Sequence, residues 1–388
     1  MATLITDTAA LAEFCSSLAS ETYVTVDTEF LRESTYWPKL CLVQVAGSAR
    51  AAAVDALAPG IDLQPLLDLM ADESVLKVFH AARQDLEIFF QLMGALPTPL
   101  FDTQVAAMVC GFGDSIAYDR LVMALTGANV DKASRFTNWA ERPLTDAQLD
   151  YALSDVTHLR DVYAGLNRRL EESGRTDWLD DEMAILNDPG SYQTEPEMAY
   201  LRIKSRTTKP RFVAVLQKVA AWREREAQTR NQPRNWVVRD DALLNIAAQM
   251  PTTTQALGRV RGLGKGQAEG RIGREIIEAV QAGIDLPPGD RPKAREPQPE
   301  GARATASADL LRVLLKGCCD RHDVAPKLIA SSSDLDRLSA GERDGIPALE
   351  GWRREVFGQH AIDLVEGRLA LAYRDGQIAW LHADDKEE

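Results

Sequence analysis

Apolar and polar positions alternate with period two over residues 23–30 (YVTVDTEF), and 40–46 (LCLVQVA) is a second β-rich run. Residues 51–55 read as a third strand and 75–80 as a fourth. Apolar residues take helical spacing over 61–70 and again over 84–94. Three early strands followed by alternating helices and strands predict an α/β sandwich on a mixed sheet. A long helix is predicted over 146–172, where Leu149, Leu153, Val156, Leu159, Val162, Leu166 and Leu170 form one stripe. Thr145, with Gln148 three residues later, is a capping-box signature for its start.

Beyond residue 201 the strand signals fade. Residues 212–229, 240–249, 253–260 and 268–282 predict four helices, with a glycine-rich turn (RGLGKG, 261–266) between the last two. Five prolines between 286 and 301 mark a linker. Residues 308–318, 325–330, 333–340 and 352–357 then predict a second, smaller helical unit ending in an acidic run at 384–388. The expected division is 1–203, 204–285, a linker at 286–307, and 308–388.

Composition narrows the function classes. The 388 residues are 45% hydrophobic and 26% charged, which excludes wholesale disorder. No apolar run approaches the ~18 residues of a membrane span, and the N-terminus lacks a signal-peptide pattern, so the expectation is a cytoplasmic protein. Five cysteines without C-x-x-C spacing argue against zinc or dithiol chemistry and for a reducing compartment. The net charge of −14 hides an asymmetry: residues 204–300 hold 18 Lys/Arg against 11 Asp/Glu, a balance of +7, leaving −21 for the rest. That segment reads either as a polyanion-binding face or as a solvated helical surface.

Asp27 and Glu29 lie two apart on a strand and so share one face. Asp85 falls near the start of the helix after the fourth strand. Tyr151 and Asp155, four apart on the long helix, share a face that overlaps the apolar stripe through Ala152 and Val156. Two desolvated carboxylates at such a distance repel. Divalent Mg²⁺ or Mn²⁺ is one counter-charge that suits carboxylate oxygen; a solvent-facing edge or an arginine salt bridge are the others.

Together these residues resemble the DEDD exonuclease superfamily, with motifs Val26-Asp27-Thr28-Glu29-Phe30, His80-Ala-Ala-Arg-Gln-Asp85-Leu-Glu and Tyr151-Ala-Leu-Ser-Asp155. The tyrosine four before the last Asp marks the DEDDy branch. The run from Thr35 to Gln44 (TYWPKLCLVQ), Phe101-Asp102-Thr103-Gln104 and the run from Trp139 to Thr145 (WAERPLT) are similar to the ribonuclease D family. Residues 211–285 resemble an HRDC module through Trp222-Arg-Glu-Arg225, Asn231-Gln-Pro233-Arg234 and the Gly-Leu-Gly turn; 308–367 fit a second copy by position and helicity.

The resemblance implies a ribonuclease H-like mixed-sheet exonuclease domain followed by one or two small all-α HRDC-like domains. It implies two divalent ions, Mg²⁺ or Mn²⁺, one held by Asp27, Glu29 and Asp155. The other is bridged by Asp27, with Asp85 bound directly or through water. Tyr151 orients the attacking water, and the reaction is 3′→5′ hydrolysis of RNA to nucleoside 5′-monophosphates. The expected substrate is a tRNA precursor with a 3′ extension, acted on by a monomer without an obligate protein partner.

Arg211, Arg234, Arg239, Arg261 and Lys265 are candidate phosphate contacts, and the glycine turn either presents amides to phosphate or simply joins two helices. Phe30 and Tyr36 either stack on terminal bases or pack in the core. His80 either touches the terminal nucleotide or is a core histidine. Asp102 is expected to be an N-cap. Two rival readings are a DNA-directed 3′–5′ exonuclease and a non-catalytic RNA-binding protein. GLGKGQ lacks the nucleotide-binding G-x-x-x-x-G-K-[ST] pattern.

Overall fold

The computed structural model describes residues 3–131, 137–292 and 306–382, and the side chain of Lys265 and the acidic tail lie outside the described residues. A short strand β1 (Leu4–Ile5) leads into α1 (Thr8–Leu18), started by the Asp7 side chain, which accepts from the Ala10 amide at 2.9 Å. Next come β2 (Tyr23–Leu31), β3 (Lys39–Ala46), β4 (Ala51–Asp55), α2 (Gln64–Ala71), β5 (Leu76–Phe79), α3 (Arg83–Met93) and β6 (Leu100–Asp102). The six strands form one sheet in the order β1-β4-β3-β2-β5-β6. β2–β5, β5–β6 and β1–β4 run parallel and β3–β4 antiparallel, so the sheet is mixed as the alternation predicts.

Helices α4 (Thr103–Val109) and α5 (Tyr118–Thr126) precede the 28-residue α6 (Asp146–Ser173). The Thr145–Gln148 capping box forms as predicted, and the leucine and valine stripe of α6 is buried in the core of this unit, Leu153 excepted. Polar bonds fix where α6 lies. The Thr25 hydroxyl on β2 donates to the Val156 carbonyl at 2.7 Å, and Arg160 donates to the carbonyls of Gly47 and Ser48 at 2.7 and 3.0 Å. A short helix α7 (Asp180–Leu186) follows.

The chain divides differently from the boundaries expected above. One unit comprises Met1–Glu29, Leu42–Ser191 and Gly301–Glu388; the other comprises Phe30–Cys41 and Tyr192–Glu300. The second unit holds α8 (Pro210–Arg230), α9 (Arg234–Val237), α10 (Asp240–Gln249), α11 (Thr254–Leu257), α12 (Lys265–Glu269) and α13 (Arg271–Ile284). The fourth helix expected over 268–282 starts earlier and is split at Gly270 into α12 and α13. The 30–41 segment joins this unit through Tyr36, buried among α8 residues, and through the Asn231 side chain, which accepts from the Tyr36 and Trp37 amides at 3.1 and 2.9 Å.

The C-terminal module belongs to the first unit because its contacts lie there. It contains α14 (Ala306–His322), α15 (Pro326–Ile329), α16 (Ser332–Ser339), α17 (Gly351–Arg353), α18 (Gln359–Val365), and strands β7 (Leu369–Arg374) and β8 (Gln377–His382). The hairpin corrects the expectation of an all-helical end. Asp375 and Gly376 both have positive φ, 51° and 83°, which is the Asp-Gly turn that right-handed strand twist favours. Arg353 is buried and binds the Leu328 carbonyl and Asp181 at 2.7 Å each, as well as Glu182. The indoles of Trp178 and Trp352 stack 4.1 Å apart beside it.

Arg353→Met keeps the side-chain volume but orphans the Leu328 carbonyl and the Glu182 carboxylate. Urea unfolding of the full chain is expected to show about 2–3 kcal/mol of lost stability, against little change for the exposed Arg354→Met.

Candidate active site

Strand alternation turns Asp27 and Glu29 to the same side of β2, and the docking of α6 brings Asp155 to meet them. One carboxylate oxygen from each of the three lies within 4.8 Å of the others. Among the described residues this trio is the group of His, Cys, Asp or Glu side chains able to share one cation. Asp85 stands in the first turn of α3, outside the trio, and is buried; its carboxylate accepts from the Thr28 hydroxyl on β2.

Desolvation dominates the electrostatics. Burial pushes the Asp27 carboxyl up to about 7. Asp85 is raised well above the ordinary carboxylate range, by burial first and then by the neighbouring Asp27 charge. Burial and the charges of Asp155, Glu29 and Asp27 raise the Tyr151 phenol far above its usual value, and its hydroxyl is hydrogen-bonded to the Asp155 carboxylate. Tyr151 is therefore a protonated donor at neutral pH. Hard carboxylate oxygens held together against their own repulsion are a donor set that fits Mg²⁺ or Mn²⁺.

A cavity of about 410 Å³ opens over two of the trio, Asp27 and Asp155, and is lined also by Tyr151, His80, Gln104 and Tyr118 among others. His80 thus lies at the site. Its Nδ1 is 3.0 Å from the Thr103 hydroxyl, which already donates its single proton to the Phe79 carbonyl at 3.0 Å. The hydrogen-bond pattern assigns the His80 proton to Nδ1 and leaves a lone pair on Nε2. Burial lowers its pKa, keeping the ring neutral. Asp102 is the N-cap expected from the sequence, accepting from the Gln104 amide at 2.7 Å. It also accepts from the Ala81 and Ala82 amides at 3.0 and 2.8 Å, which holds Ala81 at φ 57° on the cavity rim.

Other predicted positions fall elsewhere. Tyr36 is a core residue of the second unit: it is 7% exposed, and its hydroxyl is bonded to Glu224 and Arg234. That corrects the base-stacking expectation in favour of packing. Arg234 is likewise held inside, forked onto Glu224 at 2.6 and 2.7 Å, with its guanidinium over the Tyr36 ring. Phe30 is half-buried, and Arg211, Arg239 and Arg261 are exposed. The glycine turn is an interhelical joint: the Gly264 amide donates to the Gln267 side chain, and a Cβ on Gly262 would stand 3.1 Å from Ala242.

Two residues escaped the sequence reading. The Tyr118 hydroxyl donates to the backbone carbonyl of Asp155, and Trp236 is 61% exposed on the second unit. The Asn-Trp pair following Pro233-Arg234 was the available signal for Trp236; Tyr118 had none, because its role depends on a contact 37 residues away.

Because Asp27 holds its proton more tightly folded than unfolded, its contribution to folding weakens as pH rises from 3.8 to about 7. Asp27→Asn removes that ionisation. In EDTA it is expected to melt higher than wild type at pH 8, by about 1–3 kcal/mol, with the gain shrinking towards pH 5 in a pH series of thermal melts.

Comparison with known proteins identifies the lineage. Residues 2–171 match a 3′-5′ exonuclease domain family and residues 213–280 match the HRDC domain. The chain is 50% identical to ribonuclease D of Granulibacter bethesdensis, covering 97% of this chain and 95% of that one. It is 53% identical to ribonuclease D of Gluconacetobacter diazotrophicus, covering 95% and 94%. The crystal structure of Escherichia coli RNase D, an exoribonuclease involved in structured RNA processing, superposes with a TM-score of 0.81 at 29% identity over 95% of this chain and 99% of that one. With half its residues shared along almost its whole length, this chain belongs to the ribonuclease D family.

Proposed function

We propose that this chain, a 3′–5′ exoribonuclease, trims structured RNAs with 3′ extensions such as tRNA precursors, using two divalent cations held by Asp27, Glu29, Asp155 and Asp85. The observation that carries the reading is the convergence of Asp27, Glu29 and Asp155 within reach of one cation, with Asp27, Asp155 and the protonated Tyr151 lining one cavity. Divalent cations at carboxylates supply activation of the nucleophile and neutralisation of charge during in-line attack on phosphorus. The protein's own part is placement. Tyr151 orients the attacking water through its hydroxyl, whose proton is held on the Asp155 carboxylate, and a phenol this hard to ionise in the metal-free site suits positioning rather than base catalysis. His80 offers an Nε2 lone pair to a hydroxyl of the terminal nucleotide.

The second unit contributes affinity for the RNA body. Arg211, Arg239 and Arg261 are exposed and offer phosphate contacts, while Trp236 offers a ring face to an unpaired base. Arg234 is not part of that set. The chain works as a monomer, and among the described residues no helix is long and apolar enough to cross a membrane.

The test uses a 5′-labelled tRNA with a few extra 3′ nucleotides. Wild type in Mn²⁺ or Mg²⁺ is expected to shorten it one nucleotide at a time, pausing near the mature end, with no cleavage in EDTA. Asp27→Asn is expected to abolish cleavage without unfolding, and Tyr151→Phe to lower kcat by about ten- to a hundredfold. Intact RNA that still binds would overturn the catalytic reading, and equal digestion of single-stranded DNA would overturn the RNA preference.

A further inference from the structure

One wall of the catalytic cavity comes from none of the acidic motifs. Ser115, Ile116, Ala117 and Tyr118 line it. Tyr118 closes the wall onto the machinery: its hydroxyl is bonded to the Asp155 carbonyl, and its ring stands 5.0 Å from that of His80. The chain enters this wall from a turn containing Gly111 and Gly113 at φ 81° and 87°. Glycine permits such a turn but does not enforce it, since its backbone adopts many other conformations as readily.

The C-terminal module supplies the enforcement. The Lys327 amide donates to Asp114 Oδ1 at 2.8 Å, and the Ala325 amide donates to the Met108 carbonyl at 3.0 Å. Gly111 sits so close to Asp323 that a Cβ there would be 2.1 Å from the carboxylate oxygen. Arg175 locks the same junction, donating to the carbonyls of Val109 and Asp323 at 3.2 Å each and of His322 at 2.6 Å. The C-terminal module thus grips Asp114 directly, and the next residue, Ser115, already faces the cavity.

We infer that the C-terminal module shapes the pocket for the terminal nucleotide through residues 110–118, with Asp114 as the positioning residue at the junction. The inference rests on the proposed reading of the cavity as the site that receives the RNA 3′ end. Releasing Asp114 frees the turn, lets Ile116 and Ala117 relax, and loosens Tyr118 on Asp155. The carboxylate trio is left in place, because α6 is held on β2 by Thr25 and to the 47–48 carbonyls by Arg160. The expected signature is weakened substrate binding with unaltered metal binding.

The experiment compares full-length wild type, Asp114→Ala, Asp114→Asn, Tyr118→Phe and the Asp114→Ala/Tyr118→Phe double variant on a 5′-labelled diribonucleotide in Mn²⁺. Asp114 is exposed, so its substitution leaves the core packing alone. Asp114→Ala is expected to raise KM by roughly two- to thirtyfold, with a much smaller change in kcat and the same Mn²⁺ half-saturation. Asp114→Asn keeps an acceptor for the Lys327 amide and is expected to restore KM towards wild type. The double variant is expected to fall short of the product of the two single effects, since both act through one segment. An Asp114→Ala enzyme with wild-type KM, or one whose Mn²⁺ half-saturation moves together with KM, overturns the inference. A wild-type chain that hydrolyses no RNA overturns the functional reading as well, so the two failures are told apart by the wild-type lane.

Discussion

The crowding of three like-charged carboxylates, Asp27 and Glu29 half-buried and Asp155 buried, is the constraint around which the first unit is organised. Asp27 and Glu29 are fixed side by side by strand geometry, and Asp155 is carried to them on a different element. Nothing in three acidic side chains favours that meeting. What holds it is polar docking of the long helix: Thr25 beneath the Val156 carbonyl, Arg160 across the carbonyls of residues 47 and 48, and a leucine and valine stripe sunk in the core. The raised carboxyls record chiefly desolvation: burial lifts Asp27, and burial first and the Asp27 charge second lift Asp85. Stability of the metal-free fold and readiness for a cation are thus two sides of one arrangement.

The second unit shows why a charge count is an incomplete guide to a nucleic-acid surface. Its excess of basic residues fits either a polyanion-binding face or a solvated helical surface, yet several are engaged internally. Arg234 is forked onto the buried Glu224, Arg223 pairs with Asp240, and Arg271 bridges Glu226 and Glu275. These arginines build the unit. Arg211, Arg239 and Arg261 are exposed instead, as is Trp236.

Local periodicity made much of the fold legible. The strands near residues 23, 40, 51 and 76, the long helix with its capping box, and the helix at 240–249 appear as read. Spacing pairs Asp27 with Glu29 and Tyr151 with Asp155; grouping them with Asp85 in one site takes the family resemblance, and the meeting of Asp155 with Asp27 and Glu29 takes the fold. What stayed hidden depends on distant contacts. In sequence Tyr36 is either a stacking or a packing aromatic, and the partners that decide for packing lie about two hundred residues on, at Glu224 and Arg234. The compact units cut across chain order for the same reason, because residues 30–41 and 306–382 pack with segments far away in sequence, while the matched domain families, 2–171 and 213–280, fall inside 1–203 and 204–285. The terminal hairpin is a different case: Asp375-Gly376 between alternating runs is a local signal for a turn at a place where helical spacing alone predicts an all-helical unit.

The central claim is that the carboxylate trio is a cation site, poised and partly protonated until a metal arrives. Titration calorimetry with Mn²⁺ at pH 6, repeated in buffers of different ionisation enthalpy, counts the protons released on binding. The account predicts saturable binding with net proton release, since Asp27 near 7 is mostly protonated at that pH, and affinity at least about tenfold weaker in Asp155→Asn. Binding without proton release, and equally tight in Asp155→Asn, would contradict it.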